Sequence, residues 1–207
     1  MYLILKINMS FAVFIFCMFV ISDSISAQEI LQKEDQGQAV YDLQKNLKKM
    51  GYLNSQPTGY YGSITHQAVK QLQHDSGLSQ DGIAGSQTQQ KLKNIEMMAR
   101  VVHGEARGET YEGKVAVAAV ILNRVSATGF PKNTHDVIFQ TNAFSAVHDG
   151  QYNLTPNSYA YRAVIDALKG WDPTHGSVYY YNPRLATDKW IFTRETVIRI
   201  GNHLFAK

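Results

Sequence analysis

The sequence predicts a mainly α-helical protein of the α+β class, built from two modules and carrying a small β element near its C-terminus. Within residues 35–92, a glycine-rich turn followed by a helical pattern occurs twice, with an offset of 23 residues. Residues 95–125 contain two further stretches whose apolar side chains recur at helical spacing. Residues 178–182 and 190–193 are short aromatic-rich runs, and they predict two strands around a loop that contains Pro183.

The first 27 residues have the pattern of a secretory signal peptide. A short segment with one lysine precedes an apolar run over residues 11–21, and small residues follow it up to Ala27. The run is shorter than the ~20 residues that a membrane-spanning helix needs. We therefore expect export, cleavage near Ala27 and no stable membrane insertion afterwards, with an uncleaved anchor as the alternative. The only cysteine, Cys17, lies inside this run, so the exported chain would have neither disulfides nor a thiol nucleophile.

The composition and motifs argue against several functions. The formal net charge is +3 and the pI is about 8.8, and no block of lysine and arginine occurs, so we expect no nucleic-acid binding. The seven histidines are scattered along the chain, and the sequence contains no His-Glu-x-x-His pattern of zinc peptidases. It also contains no Gly-x-Ser-x-Gly pattern of serine hydrolases. We therefore predict neither a metal nor a cofactor.

Residues 28–94 form the first predicted module, made of three short helices joined by glycine turns. The apolar residues of its first helix recur at helical spacing, and they are Val40, Leu43, Leu47 and Met50. Gly51 follows them and suits the left-handed conformation that ends many helices. Ser63 and Ser86 come directly after the glycine turns, where we expect each of them to cap the next helix.

This module resembles the peptidoglycan-binding domain-1 family over nearly its whole length. The matching motifs are Gly-Gln-Ala-Val at 37–40, Gly-Tyr-Leu at 51–53, Gly-Tyr-Tyr-Gly at 59–62 and Asp-Gly-Ile-Ala-Gly at 81–85. The resemblance implies that the module binds peptidoglycan glycan strands, and a module that serves only as a spacer is the alternative. Thr58 departs from the family, which commonly has aspartate before the first glycine, and this difference weakens a turn contact.

The second predicted module, residues 95–207, contains one well-marked candidate for an acid. Glu105 lies near the end of the first helical stretch, with Val101 and Val102 one turn before it, so its carboxyl group emerges beside apolar side chains. Such surroundings penalise the charged form of a carboxyl group. A carboxylic acid that keeps its proton can protonate a leaving oxygen. The alternative is a solvated glutamate that pairs with a neighbouring arginine.

The residues around Glu105 predict how it is placed. Residues 115–125 are apolar nearly all round, which indicates a central, buried helix. Gly104 and Gly108 lie between this helix and the preceding one, and we expect them to leave room for a polymer to approach the backbone. Glu109 is predicted to be a solvent-facing loop residue.

The second module resembles the SleB/CwlJ-type cell-wall hydrolases, the spore cortex-lytic family, over residues 96–207. The motifs that carry the resemblance include Ala-Arg-Val-Val-His-Gly-Glu-Ala-Arg-Gly-Glu at 99–109, Tyr-Glu-Gly-Lys-Val-Ala-Val at 111–117, Gly-Trp-Asp-Pro-Thr at 170–174 and Tyr-Tyr-Tyr-Asn-Pro at 179–183. The resemblance implies a lysozyme-like catalytic domain in which Glu105 is the catalytic acid. It also implies action on peptidoglycan in a bacterial cell wall or spore cortex.

Six further residues are candidates for binding the substrate. They are Glu112, Gln140, Ser145, Tyr179, Asn182 and Trp190. Glu112 either reaches the cleft or only favours the N-terminus of the second helix with its negative charge. The amides and the hydroxyl suit sugar hydroxyl and acetamide groups, whereas the aromatic rings either stack on sugars or belong to the core.

One catalytic carboxylate favours a particular mechanism. A hydrolysing glycosidase generally needs two carboxylates, and the candidates for a second one, Asp136, Asp149, Asp166, Asp172 and Asp188, lie in no compelling motif. A lytic transglycosylase needs one, because the C6 hydroxyl of N-acetylmuramic acid is the nucleophile. The alternatives are an N-acetylmuramoyl-L-alanine amidase and a non-catalytic wall-binding protein, and an accessory or inhibitory protein partner stays open.

Overall fold

The computed structural model describes residues 29–207. The predicted signal peptide lies outside the described residues. Seven α-helices are present in the described part: α1 Gln38–Lys49, α2 Ser63–Asp75, α3 Ser86–Glu105, α4 Tyr111–Ser126, α5 Thr134–Ile138, α6 Ser145–His148 and α7 Ser158–Leu168. Three strands, β1 Tyr179–Tyr181, β2 Thr196–Ile200 and β3 His203–Ala206, form one antiparallel sheet in the order β1-β3-β2. The predicted mainly helical class with a small β element is confirmed.

A buried glutamine organises the first copy of the internal repeat. Gln44 on α1 accepts hydrogen bonds from the backbone N–H groups of Thr58 (2.7 Å) and Gly59 (2.9 Å). Its amide nitrogen donates to the Tyr60 carbonyl and to Thr65 Oγ1, both at 2.8 Å. One side chain therefore satisfies the polar groups of a turn and fixes that turn against α1 and α2.

Gln73 on α2 has the same role in the second copy. It accepts from the Gly82 N–H at 2.9 Å, and its amide nitrogen donates to Asp81 Oδ1 (2.7 Å) and to the Ile83 carbonyl (3.0 Å). Asp81 Oδ1 also accepts from the Ile83 N–H at 2.9 Å, whereas the matching contact from the Tyr60 N–H to Thr58 Oγ1 is longer, at 3.2 Å. The turn with threonine in place of aspartate thus has the longer contact.

The helix ends of the first module agree with the sequence only in part. Gly51 has a φ of 85° directly after Met50, which confirms that it ends α1. The expected capping by Ser63 and Ser86 is wrong: each serine is the first residue of its helix, and the extended Gly62 and Gly85 are the N-caps. No side chain caps either helix, because a glycine has none to offer.

The two predicted modules share one long helix. The predicted boundary between residues 94 and 95 falls inside α3, which runs for 20 residues without interruption. At ~1.5 Å per residue its length is about 30 Å. Leu92 lies in the N-terminal part of this helix and Ile95, Met98 and Val102 lie in its C-terminal part, and all four belong to one continuous apolar core. The modules therefore have no flexible linker between them.

A second contact joins the modules beside α3. Asp75, at the end of α2, has a side chain that is only 2% exposed, and one of its oxygens lies 3.3 Å from the Lys169 ammonium just after α7. Burial opposes the charge of Asp75, but hydrogen bonds from His74 and Gln71 and the charge of Lys169 outweigh this cost, so its pKa lies below its usual value. Asp75 is therefore ionised at neutral pH and binds the two modules together.

The catalytic half of the chain is organised around α4. Every residue from Gly113 to Ile121 is buried, so the predicted central helix is confirmed. Helices α3 and α7 pack on it, and the sheet covers its remaining side through Ala116, Val120 and Phe205.

The sequence located only one of the three strands. Residues 178–182 contain β1, as predicted, but the strand predicted at 190–193 is wrong, because Ile191–Thr193 is a single 3₁₀ turn. Strands β2 and β3 follow it as a hairpin whose two-residue turn is Gly201-Asn202, with a φ of 57° at Gly201. Glycine at this turn position is a hairpin signal.

We predict that Gln73→Ala lowers the free energy of unfolding of the first module by about 3 kcal/mol, because it leaves buried backbone groups without partners. Gln67→Ala, an exposed position on the same helix, should change it by less than about 0.5 kcal/mol. Denaturant unfolding followed by circular dichroism measures both. Equal midpoints for the two variants would contradict the role of Gln73.

We predict that Lys169→Met destabilises the protein by about 1 kcal/mol at neutral pH; the effect is modest because water screens the half-exposed ammonium. The pKa of Asp75 is lowered in the folded state, so its contribution to stability is present above its unfolded pKa near 3.8 and is lost as the pH falls through the folded value. The difference between Lys169→Met and wild type should therefore shrink in acid. Thermal unfolding at several pH values, with the exposed Lys45→Met as control, measures it, and a difference independent of pH would refute the ion pair.

Candidate active site

An open cleft of about 1000 Å³ lies between the C-terminal end of α3, the segment that leads into α6, and the sheet. Glu105 is on its wall, together with five of the predicted substrate-binding residues: Gln140, Ser145, Tyr179, Asn182 and Trp190. Glu112 is not part of it. This residue is exposed in the first turn of α4 and does not line the cleft, so its position favours a role at the helix N-terminus.

Two donors, the Ala146 backbone N–H and the Ser145 hydroxyl, hold the Glu105 carboxyl group. The backbone N–H of Ala146 donates to Oε1 at 2.6 Å, and the Ser145 hydroxyl lies 3.0 Å from Oε1 and 3.1 Å from Oε2. Both partners belong to the first turn of α6. The two carboxyl oxygens are therefore not equivalent, because Oε1 is fixed by a backbone donor and Oε2 contacts only a rotatable hydroxyl.

The contact between α3 and α6 requires a glycine at position 104. A Cβ on Gly104 would lie 2.5 Å from the Cβ of Ala146, which is closer than two such atoms approach each other. Gly104 lines the cleft, and the space that its side chain would occupy is filled by Ala146. Gly108 differs, because a Cβ there would meet nothing within 4 Å.

Two residues of the sheet, Tyr180 and His203, lie close enough to Glu105 to interact with its charge. Desolvation together with the Glu105 charge raises the pKa of the half-buried Tyr180 well above its usual value. His203 packs edge-on against the Tyr180 ring at a centroid distance of 5.2 Å. Burial lowers the pKa of His203 against the opposing charges of Glu109 and Glu105. Tyr180 is thus protonated, and His203 is neutral at pH 7.

Glu109 lines the same cleft, which corrects the prediction of a solvent-facing loop residue. Its carboxylate accepts hydrogen bonds from the backbone N–H of Asn202 at 3.1 Å and from the side-chain amide of Asn202 at 2.9 Å. Burial alone would raise the pKa of Glu109, but the hydrogen bonds from Asn202 lower it overall. Glu109 is therefore an ionised anchor for the turn between β2 and β3.

The aspartates proposed as a second carboxylate are dispersed. Asp188 lines the cleft, and its Oδ1 accepts from the Trp190 N–H at 2.9 Å. Asp136, Asp149, Asp166 and Asp172 do not line it. Each of these four is hydrogen-bonded elsewhere, Asp166 for example to the Tyr111 hydroxyl at 2.5 Å.

Two further properties concern residues 29–207 as a whole. This part of the chain contains no group of three or more His, Cys, Asp or Glu side chains arranged to hold a metal ion. Within the same residues, no helix is both long enough and apolar enough to cross a membrane.

Comparison with known proteins places the chain in a family. Residues 108–206 match the Cell Wall Hydrolase family, and residues 36–92 match the peptidoglycan binding domain family. A spore cortex-lytic enzyme of Bacillus cereus is 38% identical, over 87% of this chain and 87% of its own length. The chain belongs to the spore cortex-lytic enzyme family. The Bacillus subtilis spore cortex-lytic enzyme is 30% identical over 91% of this chain and 93% of its own length.

Solved structures agree with this spore cortex-lytic family assignment. The catalytic domain of the Bacillus cereus SleB protein covers 55% of this chain and 89% of its own, with 56% identity and a TM-score of 0.53. The catalytic domain of a germination-specific lytic transglycosylase SleB from Bacillus anthracis is 57% identical over 55% of this chain and 93% of its own, with the same TM-score. The predicted peptidoglycan-cleaving enzyme with a SleB-type, lysozyme-like catalytic domain is confirmed.

We predict that Gly104→Ala lowers the rate of peptidoglycan release about 100-fold, because the new Cβ displaces Ala146 and with it the N–H that orients Glu105. Gly108→Ala is the matched control, since its Cβ enters open space, and it should stay within about threefold of wild type. Release of soluble fragments from purified peptidoglycan measures both. Equal activity of the two variants would show that the contact between α3 and α6 does not position the acid.

Proposed function

We propose that this chain is an exported lytic transglycosylase, which cleaves peptidoglycan glycan strands at N-acetylmuramic acid through Glu105. The observation that carries the proposal is the asymmetric binding of the Glu105 carboxyl group by Ala146 and Ser145 in an open cleft. The other carboxylates that line the cleft, Glu109 and Asp188, both accept backbone hydrogen bonds from neighbouring residues. A mechanism with one carboxylate needs no contribution from either.

The first step is proton donation to the glycosidic oxygen. Because the Ala146 N–H occupies Oε1, the acid carries its proton on Oε2. That proton passes to the oxygen between the two sugars, the bond from this oxygen to C1 of N-acetylmuramic acid breaks, and the bonding electron pair stays on the leaving oxygen. The Ser145 hydroxyl is close to both carboxyl oxygens and stabilises the carboxylate as it forms.

The second step regenerates the acid. The C6 hydroxyl oxygen of the same N-acetylmuramic acid bonds to C1, and its proton returns to the Glu105 carboxylate. One proton leaves and one arrives, so water is not consumed. The products are a 1,6-anhydro-N-acetylmuramic acid end and a free 4-hydroxyl on the released sugar.

The walls of the cleft suit a polysaccharide. The Tyr179 and Trp190 rings meet edge to face at a centroid distance of 5.2 Å and offer flat apolar surfaces to sugar rings. Gln140 and Asn182 add amides, which can bond hydroxyl and acetamide groups. We propose these four residues and Ser145 as the substrate-binding residues.

The place of action is part of the same proposal. The N-terminal pattern favours export, the peptidoglycan binding module favours retention on the wall polymer, and the relatives are named for the spore cortex. We propose that the exported enzyme acts on the peptidoglycan of the spore cortex or the cell wall during germination or wall turnover.

The test is mass spectrometry of the fragments released from cortex and vegetative peptidoglycan by residues 28–207. We expect anhydro-muropeptides from wild type and at least a ~1000-fold loss in Glu105→Gln, which cannot donate the proton. Glu112→Gln is the control for removing a nearby carboxylate outside the cleft and should keep wild-type activity. Fragments with reducing N-acetylmuramic acid ends would indicate a hydrolase in place of a transglycosylase. Free peptide stems would indicate an amidase, and the absence of any release would favour a non-catalytic wall-binding protein.

A further inference from the structure

Arg124 on α4 is a buried cation without an anionic partner. It is 7% exposed, and within residues 29–207 its guanidinium forms no ion pair with any carboxylate. Removing a charge from water is unfavourable unless hydrogen bonds or an opposite charge compensate. Ionisable groups in such unfavourable surroundings cluster at functional sites, where their charge contributes to binding or catalysis.

The contacts of Arg124 join the two walls of the cleft. Its Nε donates to the Val178 carbonyl at 2.7 Å, directly before β1, and its Nη1 lies 3.4 Å from the Ala143 carbonyl, two residues before Ser145. The guanidinium also lies 4.9 Å from the centre of the Phe144 ring. One side chain therefore connects the strand that carries Tyr180 to the segment that carries the donors for Glu105.

The charge of Arg124 also reaches the acid. Burial lowers the pKa of Arg124, while Tyr180, Tyr179 and Glu105 act on it in the opposite direction. Interaction between two charges is mutual, so the guanidinium stabilises a negative charge on Glu105 in turn. The other titratable groups that act in this part of the cleft are Tyr180, His203 and Glu109. Tyr180 and His203 are neutral, and Glu109 is an anion on which the charge of Lys114 acts. Arg124 is the cation whose pKa responds to the Glu105 charge.

We propose that Arg124 is a positioning residue for glycan cleavage: it ties the two walls of the cleft together and stabilises the Glu105 carboxylate that forms when the glycosidic oxygen takes the proton. Preorganised charge of this kind lowers the barrier, because no solvent has to reorganise during the reaction. The proposal rests on the proposed function of Glu105 as the acid.

The experiment measures kcat, KM and the pH–rate profile of Arg124→Met and Arg124→Lys on solubilised glycan strands, using residues 28–207. We expect kcat of Arg124→Met to fall about 30-fold with KM within about threefold. Its activity should also persist to higher pH, because loss of a nearby cation removes a stabilising interaction with negative charge in the cleft. Arg124→Lys should restore the wild-type pH limit but only part of kcat, since the compact ammonium does not reproduce the planar fork that places separate N–H groups on the two walls.

The controls separate positioning from folding and from the proposed function. Arg162→Met removes an exposed guanidinium from another aromatic ring, that of Tyr111, and should match wild type. If both Arg124 variants lose activity only in proportion to folded protein measured by circular dichroism, with an unchanged pH profile, Arg124 is merely structural and the inference is overturned. Full activity in Glu105→Gln, measured in the same series, would overturn the proposed function and this inference together.

Discussion

The hydrogen bond from the Ala146 N–H to Glu105 Oε1 is the interaction on which the rest of the site depends. It exists because α6 packs closely on the end of α3, and that packing is possible because position 104 has no side chain. A backbone donor cannot rotate away, so it selects which carboxyl oxygen is left to carry a proton. The orientation of the Glu105 carboxyl group thus depends on the backbone of the neighbouring helix α6 as much as on the Glu105 side chain itself.

Helix α3 connects this site to the binding module. Gln73, which orders the second turn of the module, donates to Thr88 Oγ1 in the first turn of this helix at 3.1 Å, whereas Glu105 is the last residue of the helix. A continuous helix of about 30 Å and the ion pair between Asp75 and Lys169 leave little freedom between them. We propose that a glycan bound by the module is presented to the cleft at a fixed distance, which would reduce the entropy cost of placing a polymer beside Glu105.

The sequence predicted the features that rest on local patterns. Apolar periodicity predicted α1 and the buried α4, and a motif of eleven residues marked Glu105, which lines the cleft. The sequence did not predict the hairpin of β2 and β3, nor the contacts of Arg124 and Glu109. Arg124 bonds a carbonyl 54 residues away, and Glu109 bonds Asn202 across 93 residues. Contacts between residues so far apart in the sequence produce no periodic pattern. They can therefore be recognised only in the folded structure.

The most direct measurement is a crystal structure of Glu105→Gln with a bound glycan oligosaccharide. The amide at this position imitates the protonated acid: its oxygen should accept from the Ala146 N–H, and its nitrogen should lie about 2.6–3.2 Å from the glycosidic oxygen. The C6 hydroxyl of N-acetylmuramic acid should then face C1 without an intervening water. A glycosidic bond held against Glu109 or Asp188, with the amide at position 105 out of reach, would contradict the proposal that Glu105 donates the proton.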